Sequence, residues 1–342
     1  MSRRTTLGDV ASLAGVSPAT ASKVLNDRGG FSEGTRARVE RAIEELGYTP
    51  STAGRDRRIR SLVVVFDSLQ AIYSLRVLEG MVDGARIAGV DLVTRVAEPL
   101  AADPVDVRAI AASGHSGVVM VTSTIGPELV RRFREHGLPL VSVDASASLQ
   151  DDVPDVSSTH WRGGMQAAAH LLELGHRRIA FIGGDARNPG LRERLAGFLD
   201  QLSREGVPAD PSLVSQDGLA SGEQQLAAML ASAHPPTAVF ASTDGGAVTA
   251  IAVAREAGLA VPDDLSVIGY DDTYASLSPA LGLTTVRAPL HDLGRTAVDT
   301  VLALAHGRGR PTGDLRLPTR LVVRSTTGPA PVSAQASGID QK

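Results

Sequence analysis

Residues 5–50 read TTLGDVASLAGVSPATASKVLNDRGGFSEGTRARVERAIEELGYTP, and this stretch predicts three short helices at the start of the chain. Thr6 and Asp9, three residues apart, form a capping-box pattern with an acid in place of the usual Glu. The first helix therefore begins near Leu7. Gly15 ends it after two turns.

A second and a third helix follow in the same stretch. Ser17 is a good N-cap, Pro18 suits the first helical position, and the second helix runs to about Leu25. Ser32 caps the third helix, and Gly47 stands where a left-handed residue would end it. Two short helices joined by a Gly-containing turn form a helix-turn-helix, whose second helix presents its N-terminal side chains to the major groove of DNA. The alternative is a compact three-helix bundle with no DNA role.

Charge is divided unevenly along the chain. Residues 1–60 contain eleven Lys or Arg and seven Asp or Glu, a formal charge of +4, whereas the whole chain carries −4. Cationic side chains that displace counterions supply most of the non-specific affinity for DNA. A positive head on a negative body is therefore consistent with the helix-turn-helix interpretation.

Composition limits the class of protein. The 342 residues contain no cysteine, which excludes disulfides, thiolate metal sites and a cysteine nucleophile. The sequence has no run of 18 apolar residues, and its N-terminus has no apolar signal core. We therefore expect a cytoplasmic protein with no membrane contact.

From residue 61 onward, short apolar runs alternate with amphipathic stretches of helical length. This alternation predicts parallel sheets with helices on both faces. About ten such units exceed one doubly wound sheet, so we expect two open sheets facing each other across a cleft, with ligands at the carboxyl ends of the strands. The predicted strands are 62–66, 117–122, 139–144, 179–183, 238–241 and 265–270, and the predicted helices include 75–88, 128–136, 163–174, 192–205, 223–232 and 246–257.

Ordered motifs appear in both parts of the chain. The head carries TLGDVASLAGVSPATASKVLN and TRARVERAIEELGYTP, and the body carries HLLELGHRRIAFIGG (170–184), RERLAGF (192–198), TAVFASTD (237–244), VPDDLSVIGYDD (261–272) and LTTVRAPLHDLG (283–294). In these motifs the chain resembles the LacI/GalR family of bacterial transcription regulators over roughly residues 5–327. The resemblance implies a DNA-binding head followed by a two-lobed effector domain like that of periplasmic sugar-binding proteins.

The expected fold is therefore α/β, with a three-helix head before two doubly wound parallel sheets. The expected boundaries are 1–49 for the helix-turn-helix domain, 50–60 for the hinge, 61–328 for the effector-binding and dimerisation domain, and 329–342 for a disordered tail of small polar residues. Within the effector domain, lobe 1 comprises about 61–158 and 287–316, and lobe 2 comprises about 159–286 and 317–328.

The resemblance implies a homodimer that places two heads on the halves of near-palindromic operator DNA, at the nucleoid. Lys23 replaces the arginine usual in the recognition helix, and lysine is less suited to a bidentate guanine contact. The hinge STAGRDRRIRS lacks the family's leucine that wedges between base pairs; Ile59 is the nearest substitute. Its arginines either grip phosphates or belong to a solvated linker. The residues expected to contact DNA are Thr6, Leu7, Ser17, Pro18, Ala19, Thr20, Ser22, Lys23, Asn26, Arg36, Arg55, Arg57 and Arg58.

The resemblance also places an effector site in the cleft. Arg194 in RERLAGF matches an arginine that binds sugar hydroxyls, and a planar guanidinium suits two adjacent oxygens. The alternative for Arg194 is a surface salt bridge. Trp161, the only tryptophan, either offers a ring face to a sugar or belongs to the core. The expected effector-binding residues are Tyr73, Asp144, Trp161, Arg194, Thr243 and Asp271.

Two departures from the family pattern leave the effector open. Thr243 stands where many members have Asn, and Thr159 and His160 stand where many have Asp-Asn. The default expectation is a repressor of sugar-utilisation genes that a small carbohydrate releases. The alternatives are a non-sugar corepressor such as a purine, and a degenerate pocket that answers to a partner protein. The THWRGG arrangement (159–164) favours a subgroup associated with xylose-type or plant-polysaccharide sugars.

An enzyme and a secreted sugar-binding protein are rivals from other classes. A secreted protein would have a signal peptide in place of the head. The sequence has no GxSxG elbow and no P-loop, and its histidines have no HExxH or similar ligand spacing. We therefore expect no catalysis, no metal and no other cofactor.

Overall fold

The computed structural model describes residues 6–25, 32–46, 61–97, 105–145, 153–183, 188–215, 219–273, 280–307 and 314–331. The chain divides into two compact units, Met1–Ile59 and Arg60–Lys342. Within the described ranges, no helix has both the length and the apolar character needed to cross a membrane. Gly47, Asn26 and the predicted hinge arginines lie outside these ranges.

The first unit holds α1 (Leu7–Ala14), α2 (Pro18–Leu25) and α3 (Glu33–Glu45). Its predicted capping box is confirmed: the Asp9 N–H donates to the Thr6 hydroxyl, and the Thr6 N–H donates to the Asp9 carboxylate at 2.8 Å. Gly15 follows α1 with φ 65°, a left-handed conformation that favours glycine. The three helices enclose a small core of Val10, Ala14, Val24, Val39 and Ala42.

The second unit is built from two sheets, and the lobe that surrounds each sheet is named after it. Lobe 1 has a six-stranded sheet in the order β11-β5-β4-β3-β1-β2, in which every described pairing is parallel. Its elements are β1 (Ser61–Phe66), α4 (Ile72–Ala88), β2 (Asp91–Val96), α5 (Val107–Ala112), β3 (Val118–Val121), α6 (Pro127–Glu135), β4 (Leu140–Val143), β5 (Asp155–Ser158), α11 (Leu290–Ala305) and β11 (Leu315–Leu317).

Lobe 2 repeats this plan with the order β12-β10-β9-β8-β6-β7, where only the described pair β10–β12 is antiparallel. Its elements are α7 (His160–Glu173), β6 (Ile179–Ile182), α8 (Pro189–Arg204), β7 (Val214–Ser215), α9 (Leu219–Leu230), β8 (Ala238–Ala241), α10 (Asp244–Glu256), β9 (Ser266–Asp271), β10 (Thr284–Arg287) and β12 (Arg320–Val322), with a 3-10 turn at Pro211–Leu213. The predicted fold class, a three-helix head and two parallel sheets, is confirmed.

The central strands are apolar because helices cover both faces of each sheet. In β1 the residues Leu62–Phe66 are all at most 1% exposed, and the register pairs Val63 with Val118 of β3. The hydrophobic pattern did not predict β5, because its sequence DVSS is largely polar although all four residues are buried. The pattern also did not predict the edge strand β2, because none of its residues is buried.

The chain passes between the lobes three times: between β5 and α7, between β10 and α11, and between β11 and β12. Two of these passages are hydrogen-bonded to each other. The Thr159 N–H donates to the Leu317 carbonyl at 2.9 Å, and the Thr319 N–H donates to the Thr159 hydroxyl at 3.1 Å. The connection between the lobes is therefore a bonded pair of strand ends.

In each lobe, one pair of helices packs through glycine. A Cβ on Gly80 of α4 would lie 1.8 Å from the His291 carbonyl oxygen of α11, and a Cβ on Gly197 of α8 would lie 1.8 Å from the Trp161 carbonyl oxygen of α7. No side chain larger than hydrogen fits at these separations. These glycines, with Gly294 of α11 and Gly164 of α7, allow the close approach of each helix pair.

The expected disordered tail differs from the structure at its first residues. Residues 329–331 are described, Ala330 is 5% exposed, and its N–H donates to the Leu174 carbonyl at 2.9 Å. Ala330 is therefore buried, although the small and polar composition of the tail predicts disorder there. Residues 332–342 lie outside the described part of the chain.

Candidate functional site

A cleft of about 510 Å³ lies between the lobes, at the carboxyl ends of the parallel strands. This is where ligands bind in open α/β sheets, because loops and helix N-termini converge there. Lobe 1 lines the cleft with Asp67, Ser68, Ala71, Tyr73, Ser74, Thr122 and Asp144, and lobe 2 lines it with His160, Asn188, Gly190, Leu191, Arg194, Thr243 and Asp271.

Three strand ends at the cleft have a left-handed backbone at residues other than glycine. Thr122 after β3 has φ 49°, Asp144 after β4 has φ 46°, and Asp271 at the end of β9 has φ 101°. Such conformations cost on the order of 1–3 kcal/mol each and cluster at binding sites. All three side chains line the cleft, so the strained backbone coincides with the site.

A continuous chain of hydrogen bonds joins the two lobes across this cleft. The Tyr73 hydroxyl donates to one Asp144 oxygen at 2.6 Å, and His160 Nε2 lies 2.9 Å from the other. Arg194 Nε donates to His160 Nδ1 at 3.3 Å, and Arg194 Nη2 donates to Asp271 at 3.3 Å. We call Tyr73, Asp144, His160, Arg194 and Asp271 the interlobe chain.

The neighbours of His160 determine its tautomer. Arg194 Nε always carries a proton, so His160 Nδ1 must accept from it, with the Ser158 hydroxyl 3.1 Å away as a second partner. The proton of the neutral ring therefore lies on Nε2 and points at Asp144. His160 is 2% exposed, which shields this interlobe contact from water.

Arg194 is buried and makes several contacts with the protein. It is 5% exposed, its guanidinium carbon lies 3.7 Å from the centre of the Tyr270 ring, and Nη1 donates to the Ser242 carbonyl at 2.5 Å. Burial opposes its charge, but Asp271, Tyr270 and Asp144 outweigh burial and hold the pKa of Arg194 above its ordinary value. Arg194 is thus a fixed cation and lies in the cleft rather than in a surface salt bridge.

The carboxylates of the interlobe chain differ in their electrostatics. Burial opposes the charge of Asp144, yet His160, Tyr73 and Arg194 overcome it and lower the pKa of Asp144. Burial dominates at Asp271, and its pKa is raised although Arg194 acts in the other direction. Burial and the adjacent Asp144 likewise raise the pKa of the Tyr73 hydroxyl, so this hydroxyl stays protonated and donates.

Behind each cleft carboxylate lies a second, more enclosed one. Burial, then Asp144, raises the pKa of Asp155 to about 6 in lobe 1. Burial, then Asp271, raises the pKa of Asp244 to about 7 in lobe 2, where Asp244 accepts from the Thr273 N–H at 2.7 Å. Each lobe therefore contains a pair of interacting acids, with the enclosed one at the first residue of β5 in lobe 1 and at the first residue of α10 in lobe 2.

The structure brings most of the predicted effector residues together. Tyr73, Asp144, Arg194 and Asp271 are bonded in series, and Thr243 lines the cleft while its hydroxyl accepts from the Gly246 N–H to cap α10. Asp271 is the last residue of β9.

The expectation for Trp161 requires correction. Its side chain is 40% exposed, does not line the cleft, and lies near Arg204, whose guanidinium carbon is 5.9 Å from the ring centre. Helix α7 begins at His160, three residues before the predicted start, and successive helical side chains differ by about 100° in direction. His160 therefore occupies the cleft, and Trp161 faces away from it.

Sequence reasoning did not select several lining residues. His160 was noted only as a departure from the family pattern, while Thr122 and Asn188 were not singled out. A usable signal exists for Thr122, because it follows the apolar run of β3 and polar residues at that edge of a parallel sheet face the ligand. Across the described residues, no group of three or more His, Asp or Glu side chains is arranged to hold a metal ion.

The head presents part of the predicted DNA-contacting set on one face. Ala19 and Lys23, one helical turn apart on α2, are exposed, and Thr20 is half-buried beside them. The Ser17 hydroxyl accepts from the Thr20 N–H at 3.1 Å, so Ser17 caps the start of α2. Leu7 and Pro18 open α1 and α2, Arg36 is exposed on α3, and the side chain of Ser22 with Asn26, Arg55, Arg57 and Arg58 lies outside the described set.

Comparison with known proteins agrees with both parts of the chain. Residues 6–51 match the model of bacterial regulatory proteins, lacI family, and residues 168–327 match the model of a periplasmic binding protein-like domain. The HTH-type transcriptional regulator DegA of Bacillus subtilis (strain 168) is 32% identical over 344 residues, which cover 95% of this chain and 99% of DegA.

Solved structures extend the likeness to three dimensions. The transcriptional regulator CelR in complex with cellobiose has a TM-score of 0.71 at 29% identity, covering 94% of this chain and 100% of CelR. The Lac repressor dimer bound to operator and the anti-inducer ONPF has a TM-score of 0.69 at 30% identity, covering 95% of this chain and 100% of the repressor. The chain has a helix-turn-helix head and two parallel sheets, and it is similar to such regulators over nearly its full length. It therefore belongs to the LacI family of DNA-binding transcriptional regulators.

Proposed function

We propose that this regulator is a repressor of sugar-utilisation genes and that a small carbohydrate in the interlobe cleft releases it from its operator. The observation that carries the proposal is the interlobe chain, in which polar groups of both lobes meet at the strand ends. A hydroxyl both donates and accepts hydrogen bonds, so a polyol can satisfy carboxylates and guanidinium together. The CelR–cellobiose complex supports the same class of effector.

The described α2 supports DNA recognition by Ala19, Thr20 and Lys23. These residues share the N-terminal face that enters the major groove in helix-turn-helix proteins. Ser17 and Arg36 supply phosphate contacts in this proposal, and the hinge arginines outside the described ranges add cationic charge. Such a protein works in the cytoplasm, at the nucleoid.

The outer face of α4 supports pairing of two chains. Leu75 and Val82, about two helical turns apart on the same face of α4, are 43% and 50% exposed. A twofold dimer through this face would present two heads to a near-palindromic operator. The Lac repressor crystallised as an operator-bound dimer, which supports the arrangement.

Coupling between sugar and operator follows from linkage. A ligand shifts a two-state equilibrium only by its differential affinity for the two states. A sugar that inserts between Asp144 and His160 replaces a bond between the lobes with bonds to itself, and so favours a different lobe arrangement. The effect is reciprocal: operator binding must weaken sugar binding by the same factor.

Two alternatives keep specific support. A purine corepressor would need an aromatic ring on which to stack. Among the described lining residues of the cleft, Tyr73 supplies such a ring. A pocket that answers to a partner protein fits the departures at Thr243 and His160. Neither alternative requires catalysis, a metal or another cofactor.

Thermal unfolding against pentoses, hexoses, short oligosaccharides and purines tests the proposal. A ligand at a hundred times its Kd adds about 2.7 kcal/mol of stability. We expect a shift with one class of sugar, and the same sugar should release a labelled operator fragment in fluorescence anisotropy. A shift with purines alone, or with nothing, contradicts the proposal.

Arg194→Ala locates the site. We expect this variant to lose the sugar-induced shift while its operator affinity stays within about twofold of the parent, since Arg194 lies in the effector unit. Arg192→Ala, an exposed arginine on the same helix, is the matched control. Arg194→Gln serves if the alanine variant folds poorly. A retained response in both Arg194 variants places the effector elsewhere.

A further inference from the structure

The described lining of the cleft carries a net negative charge. Asp67, Asp144 and Asp271 supply three carboxylates, and Arg194 supplies one guanidinium. These four groups have a formal sum of −2. A proton on Asp271 would leave −1, so the sign does not depend on that group.

Three segments that follow Ala145, Gly183 and Thr273 in the sequence lie outside the described residues. Segments 146–152, 184–187 and 274–279 contain Asp151, Asp152, Asp185 and Arg187 as their charged residues. Their formal sum is −2. In these segments of the sequence, three carboxylates outnumber one guanidinium.

Arg194 is already partly committed to the protein. Three of its five N–H groups donate, to His160, to the Ser242 carbonyl and to Asp271. One N–H on each Nη nitrogen remains for a ligand. Its positive charge is compensated by Asp271 at 3.3 Å, so it does not act as an isolated anion-binding charge.

The carboxylates demand hydrogen-bond donors from the ligand. Asp144 accepts from Tyr73 and His160 and has lone pairs left on both oxygens, and an ionised carboxylate is acceptor-only. A hydroxyl can donate to Asp144 and accept from Arg194. A phosphate group is chiefly an acceptor with a charge of about −1.5 to −2, so it would meet acceptors of its own sign.

We propose that the cleft selects an uncharged ligand rich in hydroxyl groups and rejects phosphorylated sugars and sugar acids. Adjacent hydroxyls of the ligand accept from the two remaining N–H groups of Arg194 and donate to Asp144 on lobe 1 and Asp271 on lobe 2. The inference rests on the proposed sugar-sensing function, and narrows it to neutral saccharides.

Matched ligand pairs test this selectivity. The pairs are ribose with ribose 5-phosphate, glucose with glucose 6-phosphate, galactose with galacturonate, and cellobiose with cellobionate, with hypoxanthine and guanine as non-sugar probes. Thermal unfolding screens all of them, and isothermal titration measures Kd for each pair that responds. We expect the neutral member of one pair to bind at least about tenfold more tightly than its charged partner.

The outcomes separate this proposal from the proposed function. Equal or tighter binding of a phosphate or acid overturns the charge selectivity and leaves a sugar sensor standing. Binding of the purines alone, or of no probe, removes the sugar effector and this proposal together. Neutral binding with charged exclusion supports both.

Asp144→Asn examines whether charge is the cause. The variant removes one carboxylate from the cleft, so the ratio of the two Kd values within the responding pair should narrow by about threefold to tenfold. Asp91→Asn makes the same change of total charge at an exposed position on the edge strand β2, and should leave the ratio unchanged. A ratio that stays constant in Asp144→Asn shows that shape rather than charge excludes the anion, and overturns the proposal.

Discussion

The helix pair α4/α11 of lobe 1 and the helix pair α7/α8 of lobe 2 occupy equivalent places in the fold. In each lobe, the helix after the first strand packs against the helix that enters from the other lobe. Each pair closes through glycine, at Gly80 in lobe 1 and at Gly197 in lobe 2. Each lobe also has an enclosed carboxylate, Asp155 or Asp244, that interacts with a cleft-facing one, Asp144 or Asp271.

The outer faces of these pairs differ. In α4, Leu75 and Val82 are exposed, whereas α8 shows charged residues such as Asp200 and Arg204, which pair at 3.0 Å. The inner faces differ as well, because α8 supplies Arg194 to the cleft and α4 supplies Tyr73 from its first turn. The two helix pairs thus share a topology, and the side chains on each face determine whether the outer face is apolar or charged and which group the inner face supplies to the cleft.

The largest expected effect comes from filling the glycine contacts that the two lobes share. Gly80→Ala and Gly197→Ala each place a Cβ 1.8 Å from a carbonyl oxygen of the facing helix, so the helices must separate. Overpacking of this kind costs typically 1–3 kcal/mol, and we expect about 3 kcal/mol or more here because the obstacle is backbone. Denaturant unfolding followed by circular dichroism measures the loss.

Matched glycines provide the controls for both lobes. A Cβ on Gly126 meets no atom within 4 Å, and a Cβ on Gly245 meets only the Thr243 hydroxyl at 3.9 Å. Gly126→Ala and Gly245→Ala should leave the unfolding midpoint nearly unchanged. If Gly80→Ala and Gly197→Ala differ strongly from each other, the two helix pairs are less equivalent than their geometry indicates.

The second prediction tests whether the apolar outer face of α4 is the dimer interface. Val82→Glu places a charge on the apolar face of α4, and burying that charge in a dimer should weaken self-association by about a hundredfold or more. Val248→Glu, on α10 of lobe 2 at 39% exposure, should leave association unchanged. Analytical ultracentrifugation over a concentration series measures both. Equal weakening by the two variants would remove α4 as the dimer face.

The smallest effect distinguishes the enclosed carboxylates by pH. A raised carboxyl pKa means that the folded state binds the proton more tightly than the unfolded state, so this contribution is full below about pH 4 and is lost as pH rises. The loss ends near pH 6 for Asp155 and near pH 7 for Asp244, following their pKa values of about 6 and about 7.

Asparagine variants isolate these two contributions. Between pH 5 and pH 8 we expect Asp244→Asn to reduce the decline in unfolding free energy by on the order of 2 kcal/mol, and Asp155→Asn by on the order of 1 kcal/mol. Urea midpoints at each pH give the slopes. Parallel slopes in the parent and both variants would show that neither acid titrates in this range.

Local rules placed the head and the main strands accurately. The Thr6 and Asp9 capping box and the Ser17–Pro18 start of α2 depend on residues within four positions of each other, so the sequence contains the whole cause. The two-sheet arrangement followed from the alternation of apolar runs and helical stretches. The polar buried strand β5 did not follow, because its burial comes from neighbours far away in the chain.

The cleft shows where sequence reasoning stops. Arg194 could be transferred through its motif, but Trp161 lies inside α7, which begins at His160, so its side chain points about 100° away from that of His160. His160 acquires its role only because Asp144 of the other lobe lies 2.9 Å from Nε2. A contact between lobes has no local signature.

The triple passage of the chain between the lobes has a consequence for biosynthesis. Lobe 1 needs α11 and β11, and lobe 2 needs β12, so neither sheet is complete until the ribosome has translated the codons for residues 315–322. At about 5–20 residues per second, the nascent head precedes those segments by many seconds. A message truncated shortly before them yields a head joined to two unfinished sheets with open edges, a species prone to aggregate.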